Sequence, residues 1–119
     1  MTLTADQLRT RTRQFAVRIV KLFRALPKTT EAQVLGKQLM RCGTSVAANY
    51  RAACRGRSRP EFIAKLGVVA EEADETVFWL EMLVDCEIVR EQLVNDLRRE
   101  ARELCAIFST SQQTARARH

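Results

Sequence analysis

Apolar residues recur at helical spacing in four consecutive stretches of this 119-residue chain, and only four glycines and two prolines interrupt them. An all-β fold needs far more turn formers, so the pattern leaves helix as the main way to bury these side chains. The first stripe is Leu8, Thr12, Phe15, Ile19, Leu22 and Leu26, within a helix expected over about residues 5–26. Thr4 and Gln7 form a capping box at its start, and Pro27 ends it by forcing the preceding residue out of the α region. The second helix is expected over about 30–55, opened by Thr30 with Gln33 and striped by Leu35, Leu39, Cys42, Val46, Tyr50 and Ala53. A row of small residues (Gly36, Gly43, Ala47, Cys54) on its next face lets another backbone come close. Ser58 and Glu61 open a third helix over about 59–84, with Pro60 tolerated in its first turn and Phe62, Leu66, Val69, Ala73, Thr76, Leu80 and Leu83 facing inward. After a link at residues 85–88, a fourth helix over about 89–112 carries Leu93, Leu97, Ala101, Leu104, Ile107, Phe108 and Ser111, and the polar residues 113–119 are expected to fray. Helices of about 22 to 26 residues, each roughly 35 Å long and joined by short loops, specify an all-α, up-down-up-down antiparallel four-helix bundle, one domain spanning 1–119.

Charge is distributed unevenly over that framework. Thirteen Lys and Arg residues face two carboxylates in the first 59 positions, a balance of +11, whereas seven face twelve in the remainder, a balance of −5. Because the basic half is patterned as helix, its charge lies on the surface of a folded body, and a polyanion is the expected partner. Arg9, Arg13, Arg18, Lys21 and Arg24 occupy outer positions of the first helix, and Arg51, Arg55, Arg57 and Arg59 surround the second turn. Guanidinium clusters of this kind recognise phosphate. With aromatics at 6% and mostly in core stripes, binding of RNA or DNA is expected through the backbone, without base readout.

Several chemistries are disfavoured. The only histidine is the terminal His119, so no fixed general base or triad is available. Gly36-Lys37 lies within a helix and lacks the rest of a phosphate loop. Glu71, Glu72, Asp74 and Glu75 form a carboxylate cluster without the Glu-x-x-His pairs of bundle di-metal sites, so ion pairs are expected there, with no metal and no cofactor. Arg41, Ser45, Asn49 and Glu72 are expected to form a buried polar network that fixes helix register. Cys42, Cys54, Cys86 and Cys105 have no zinc spacing and are expected to be free, quiet core thiols. The apolar runs are too short to span a membrane and the N-terminus lacks a signal-peptide pattern, so the expected location is the cytoplasm.

The third helix has a second apolar set, Val68, Phe78, Trp79 and Met82, turned away from its core stripe. One bundle core cannot use both faces, which points to a homo-oligomer interface.

The run from Leu35 through Gly36, Arg41, Ser45 and Asn49 to Tyr50, then Arg57-Ser58-Arg59-Pro60-Glu61-Phe62, then Glu71-Glu72-Ala73-Asp74-Glu75-Thr76-Val77-Phe78-Trp79-Leu80, closely resembles the bacterial 23S rRNA intervening-sequence proteins. The resemblance spans nearly the whole chain and implies a cytosolic bundle assembled as a homopentamer, with no known enzyme activity. A related branch, the accessory proteins of diversity-generating retroelements, binds nucleic acid and a reverse transcriptase through a basic pentameric surface. Many relatives read Asn-Ile-Ala-Glu-Gly where this chain has Asn49-Tyr50-Arg51-Ala52-Ala53, so one carboxylate is absent here and an arginine lies beside its place.

Two non-enzymatic functions remain open at this level. One is an oligomeric protein that binds RNA or DNA through its basic surface; the other is an interaction scaffold whose arginines pair with acidic helices of neighbouring subunits. A continuous exposed basic stripe favours the first, and burial of that charge against Glu71, Glu72 and Glu75 favours the second.

Overall fold

A computed structural model describes residues 3–118. Four helices follow in order: α1 (Ala5–Ala25), α2 (Thr30–Cys54), α3 (Arg59–Asp85) and α4 (Glu91–Ala117). Each packs on its neighbour in sequence as an antiparallel bundle, while α1 and α4 meet only sparsely. The expected stripes form the core: Phe15, Ile19, Leu39, Val46, Leu66, Val69, Leu80, Leu83, Leu104 and Phe108 are all fully buried. Tyr50 and Phe108 meet across it, ring centroids 4.9 Å apart and tilted by 44°. Thr12 and Thr76 sit in the core without orphaned hydroxyls, because each donates to the carbonyl one turn earlier, Leu8 (2.8 Å) and Glu72 (2.7 Å).

Helix ends follow local chemistry. Thr4 and Gln7 make both hydrogen bonds of the capping box. On α2 the cap is Thr29, not Thr30: its hydroxyl accepts from the Ala32 N–H, and the Gln33 side chain donates to the Pro27 carbonyl. Ser58 caps α3 by accepting from Glu61 N–H, whereas the Glu61 carboxylate reaches Arg57 N–H. At the end of α3, Glu87 adopts φ 59° while Ile88 N–H donates to Leu83 O and Glu87 N–H to Val84 O. This is a Schellman closure with glutamate in the left-handed position that glycine usually takes.

Two expectations about α4 are corrected. Its inward stripe begins at fully buried Val94, while Leu93 is 57% exposed at the edge of the stripe. The helix also continues past residue 112 to Ala117. There the Gln112 amide donates to the Ile63 carbonyl (3.1 Å) and the Arg59 guanidinium donates to the Ala115 carbonyl (2.9 Å), so α3 holds a segment that would fray alone. At the start of α3, Ile63 is buried and Phe62 only half so.

The small-residue row sets how α1 lies on α2. A Cβ added at Gly36 would come within 2.6 Å of Leu26 Cδ1, and one at Gly43 within 2.8 Å of Ile19 Cγ1. Side chains of α1 therefore rest directly on the α2 backbone. Where α1 meets α4, the Arg11 guanidinium holds Glu100 through two bonds (2.7 and 2.6 Å) and Glu103 through a third (2.7 Å). No helix among the described residues is long and apolar enough to cross a membrane.

Candidate nucleic-acid interface

Arginines one turn apart on a helix project side by side. Arg9 and Arg13 do so on α1, and Arg51 in the last turn of α2 is followed by Arg55 at its C-cap. The close seating of α1 on α2 brings the two pairs to opposite walls of one hollow of about 810 Å³, whose floor is Thr44, Ala47, Ala48 and Cys54 of α2. A second hollow of about 260 Å³ continues along α1 between Arg13, Ala16, Val17, Val20, Lys21 and Arg24, again with Thr44. Arg13 and Thr44 belong to both, so the two hollows form one trough whose lining, among the described residues, holds six basic side chains and no carboxylate. Among the described residues Arg9 pairs with Asp6, and Arg13, Lys21, Arg24, Arg51 and Arg55 pair with no carboxylate.

Three of the expected phosphate binders stand apart from the trough. Arg18 lines neither hollow, Arg57 lies in the turn after α2, and Arg59 is engaged with the last turn of α4. Sequence periodicity identified the arginine pairs but not the floor between them. Tyr50, only 4% exposed, lies beneath, and burial pushes its phenol well up, reinforced by Cys54 and opposed by Arg9. The Thr44 hydroxyl donates back to the Met40 carbonyl (2.7 Å), so it offers no proton to a ligand through that bond.

The cysteines are more varied than a set of core thiols. All are free, but only Cys42 is buried; Cys54 and Cys105 are half-buried and Cys86 is exposed. Burial raises Cys42 and Cys105, with hydrogen bonds from Thr76 and Ser109 respectively opposing the shift. Cys54 has the arginine-rich surroundings that its sequence spacing did not reveal.

The four polar residues expected as a buried network separate. Arg41 is exposed and bridges to Glu75 (2.8 Å) and Glu72 (3.4 Å) at the rim of the α2–α3 seam. Ser45 approaches Glu72, while the Asn49 amide donates to its own helix at the Ser45 carbonyl (2.9 Å). Burial and a hydrogen bond with Glu75 push the Glu72 carboxyl above the usual range, against the pull of Ser45 and Arg41. Among the described residues no group of three His, Cys, Asp or Glu side chains is placed to hold a metal ion.

The second apolar face of α3 is also divided. Val68 and Phe78 are 37% and 51% exposed, whereas Trp79 and Met82 are half-buried and Trp79 packs on the core. Phe78 meets Trp79 edge to face at 4.9 Å, and Trp79 Nε1 is buried with no acceptor.

No curated protein matches the chain in sequence. Among solved structures, the crystal structure of a protein of unknown function from the S23 ribosomal protein family of Bacteroides thetaiotaomicron is similar, with a TM-score of 0.82 and 33% identity. The likeness covers 88% of this chain and 97% of that one. A profile of the family described as 23S rRNA-intervening sequence protein matches residues 7–110, from the first turn of α1 into the body of α4. Sequence match and four-helix architecture agree, and the chain belongs to the 23S rRNA-intervening sequence protein family.

Proposed function

We propose that this is a non-enzymatic, cytoplasmic, self-assembling protein, a homopentamer, that binds RNA or DNA through the basic trough between α1 and α2. The carrying observation is the trough itself: six cations line one concave surface, and five of them stand outside any ion pair among the described residues. Counterion release from phosphates makes such a surface a binding site for polyanions whatever their sequence. The exposed Val68 and Phe78 on α3 supply an apolar contact for a second copy.

One observation favours the alternative, a scaffold held by charge. The outer face of α3 carries Glu71 and Asp74, exposed and outside any ion pair among the described residues, and they complement the trough of a neighbouring copy. Anisotropy titrations of labelled RNA and DNA, paired with light scattering, separate the two. Binding at low salt that weakens steeply toward physiological salt is expected, and the combined change Arg13→Glu, Arg51→Glu, Arg55→Glu should abolish it while the oligomer persists. No binding at low salt, or dissociation of the oligomer by that change, would give the arginines to subunit contacts.

A further inference from the structure

Resting on that assignment, we infer that the trough accepts a single strand rather than a duplex, with the phosphate backbone seated inward between α1 and α2 and the bases turned to solvent. Shape carries the first part. Packed helix axes lie about 8–10 Å apart, and at Gly36 and Gly43 only the side chains of Ile19, Phe23 and Leu26 separate the α1 region from the α2 backbone. The larger hollow, about 810 Å³, is the size of a small-ligand site and suits a few nucleotides of backbone. A duplex presents a convex cylinder and would bridge the rim without filling the floor, leaving one arginine wall out of reach.

Chemistry carries the rest. Ala47 and Ala48 leave the floor open for close approach, and the Thr44 proton is directed to Met40 O. Among the described residues no aromatic ring lines either hollow to stack on a base. On α1 the backbone rises about 6 Å from Arg9 to Arg13, a spacing commensurate with successive phosphates of an unstacked strand. The second hollow extends the track toward Lys21 and Arg24. Recognition by six phosphate contacts alone is indifferent to base and to sugar.

The test uses the full chain and short fluorescent oligonucleotides: oligo-dT, oligo-rU, oligo-dA and a blunt duplex of equal length. The single strands should bind alike, at least tenfold more tightly than the duplex at the same ionic strength. Six contacts should give a slope of log affinity against log salt near −4, from about −0.7 per contact on a single strand. Ala48→Leu, which adds bulk to the floor without charge, should weaken the single strands several-fold and leave duplex affinity unchanged. Equal affinity for strand and duplex, or indifference to Ala48→Leu, would overturn the single-strand seat while leaving the basic surface as a nucleic-acid binder. Absence of binding by every probe at low salt would overturn both.

Discussion

The trough between α1 and α2 and the outer face of α4 use arginine in opposite ways. On α4, Arg98, Arg99 and Arg102 reach Glu91 (3.0 Å), Asp96 (3.5 Å) and Glu81 (3.1 Å). In the trough, Arg13, Arg51 and Arg55 have no such partner among the described residues. Composition alone makes both halves rich in arginine, but only in the first is the charge left available on a concave surface. Their seams differ too. The α1–α2 seam depends on the absence of side chains at Gly36 and Gly43, whereas the α3–α4 seam is filled mainly by large ones, Leu66, Leu80, Leu104 and Phe108, with a glycine contact at Gly67 under Gln112. Uncompensated charge therefore lies beside a seam in which α1 side chains rest on bare α2 backbone, an arrangement that suits an extended anion.

The largest effects should come from the seams, with opposite chemistry in each. Phe108→Ala, which empties a fully buried site, should cost about 3–5 kcal/mol in denaturant unfolding. Gly43→Leu should cost about 1–3 kcal/mol by overpacking against Ile19 and should also widen the trough, weakening nucleic-acid binding. If Gly43→Leu leaves both stability and binding unchanged, the contrast between the seams is broken.

Charge reversal sharpens the comparison at the next level. Changing Arg13, Arg51 and Arg55 to Glu should lower single-strand affinity at low salt by about a hundredfold or more, whereas the same change at Arg98, Arg99 and Arg102 should alter it by less than about threefold. Equal losses would mean that net charge, not the trough, governs binding.

A smaller effect is expected at the turn joining α3 to α4. Glu87 holds φ 59°, which glycine adopts without the side-chain penalty, so Glu87→Gly should raise stability by about 0.5–1 kcal/mol. An unchanged or lowered denaturation midpoint would refute that reading of the turn.

The smallest effect is a pH slope in the acidic half. Glu72 has a folded-state pKa above its unfolded value, chiefly through burial. The folded protein therefore holds this proton more tightly, and the contribution of Glu72 to stability falls as pH rises through the window above the ordinary carboxylate range. Comparing wild type with Glu72→Gln between about pH 4 and 7 should show a shallower fall in the variant. A steeper fall would reverse the assigned sign.

Much of the fold is legible in residue order because its causes are local. The Thr4–Gln7 box, the stop at Pro27 and the threonines at positions 12 and 76 follow from spacing and from hydrogen bonds within one or two turns. Errors appear where distant residues compete. Leu93 and Val94 fit the α4 stripe nearly equally by periodicity, and contact with the other helices selects Val94. The tail beyond residue 112 reads as polar and frayed until Ile63 and Arg59 provide its anchors.

The sequence by itself determined four amphipathic helices, the faces they bury and the basic character of the first two, because periodicity and charge count need no partner to be read. Tertiary structure decided which cations converge. Arg9, Arg13, Arg51 and Arg55 meet around one hollow, Arg59 turns to a helix end, Arg41 is neutralised by Glu72 and Glu75, and Cys54 joins the basic floor. The physical reason is that convergence depends on the rotation and separation of α1 against α2, set by Ile19, Phe23 and Leu26 seated on two glycines far away in sequence.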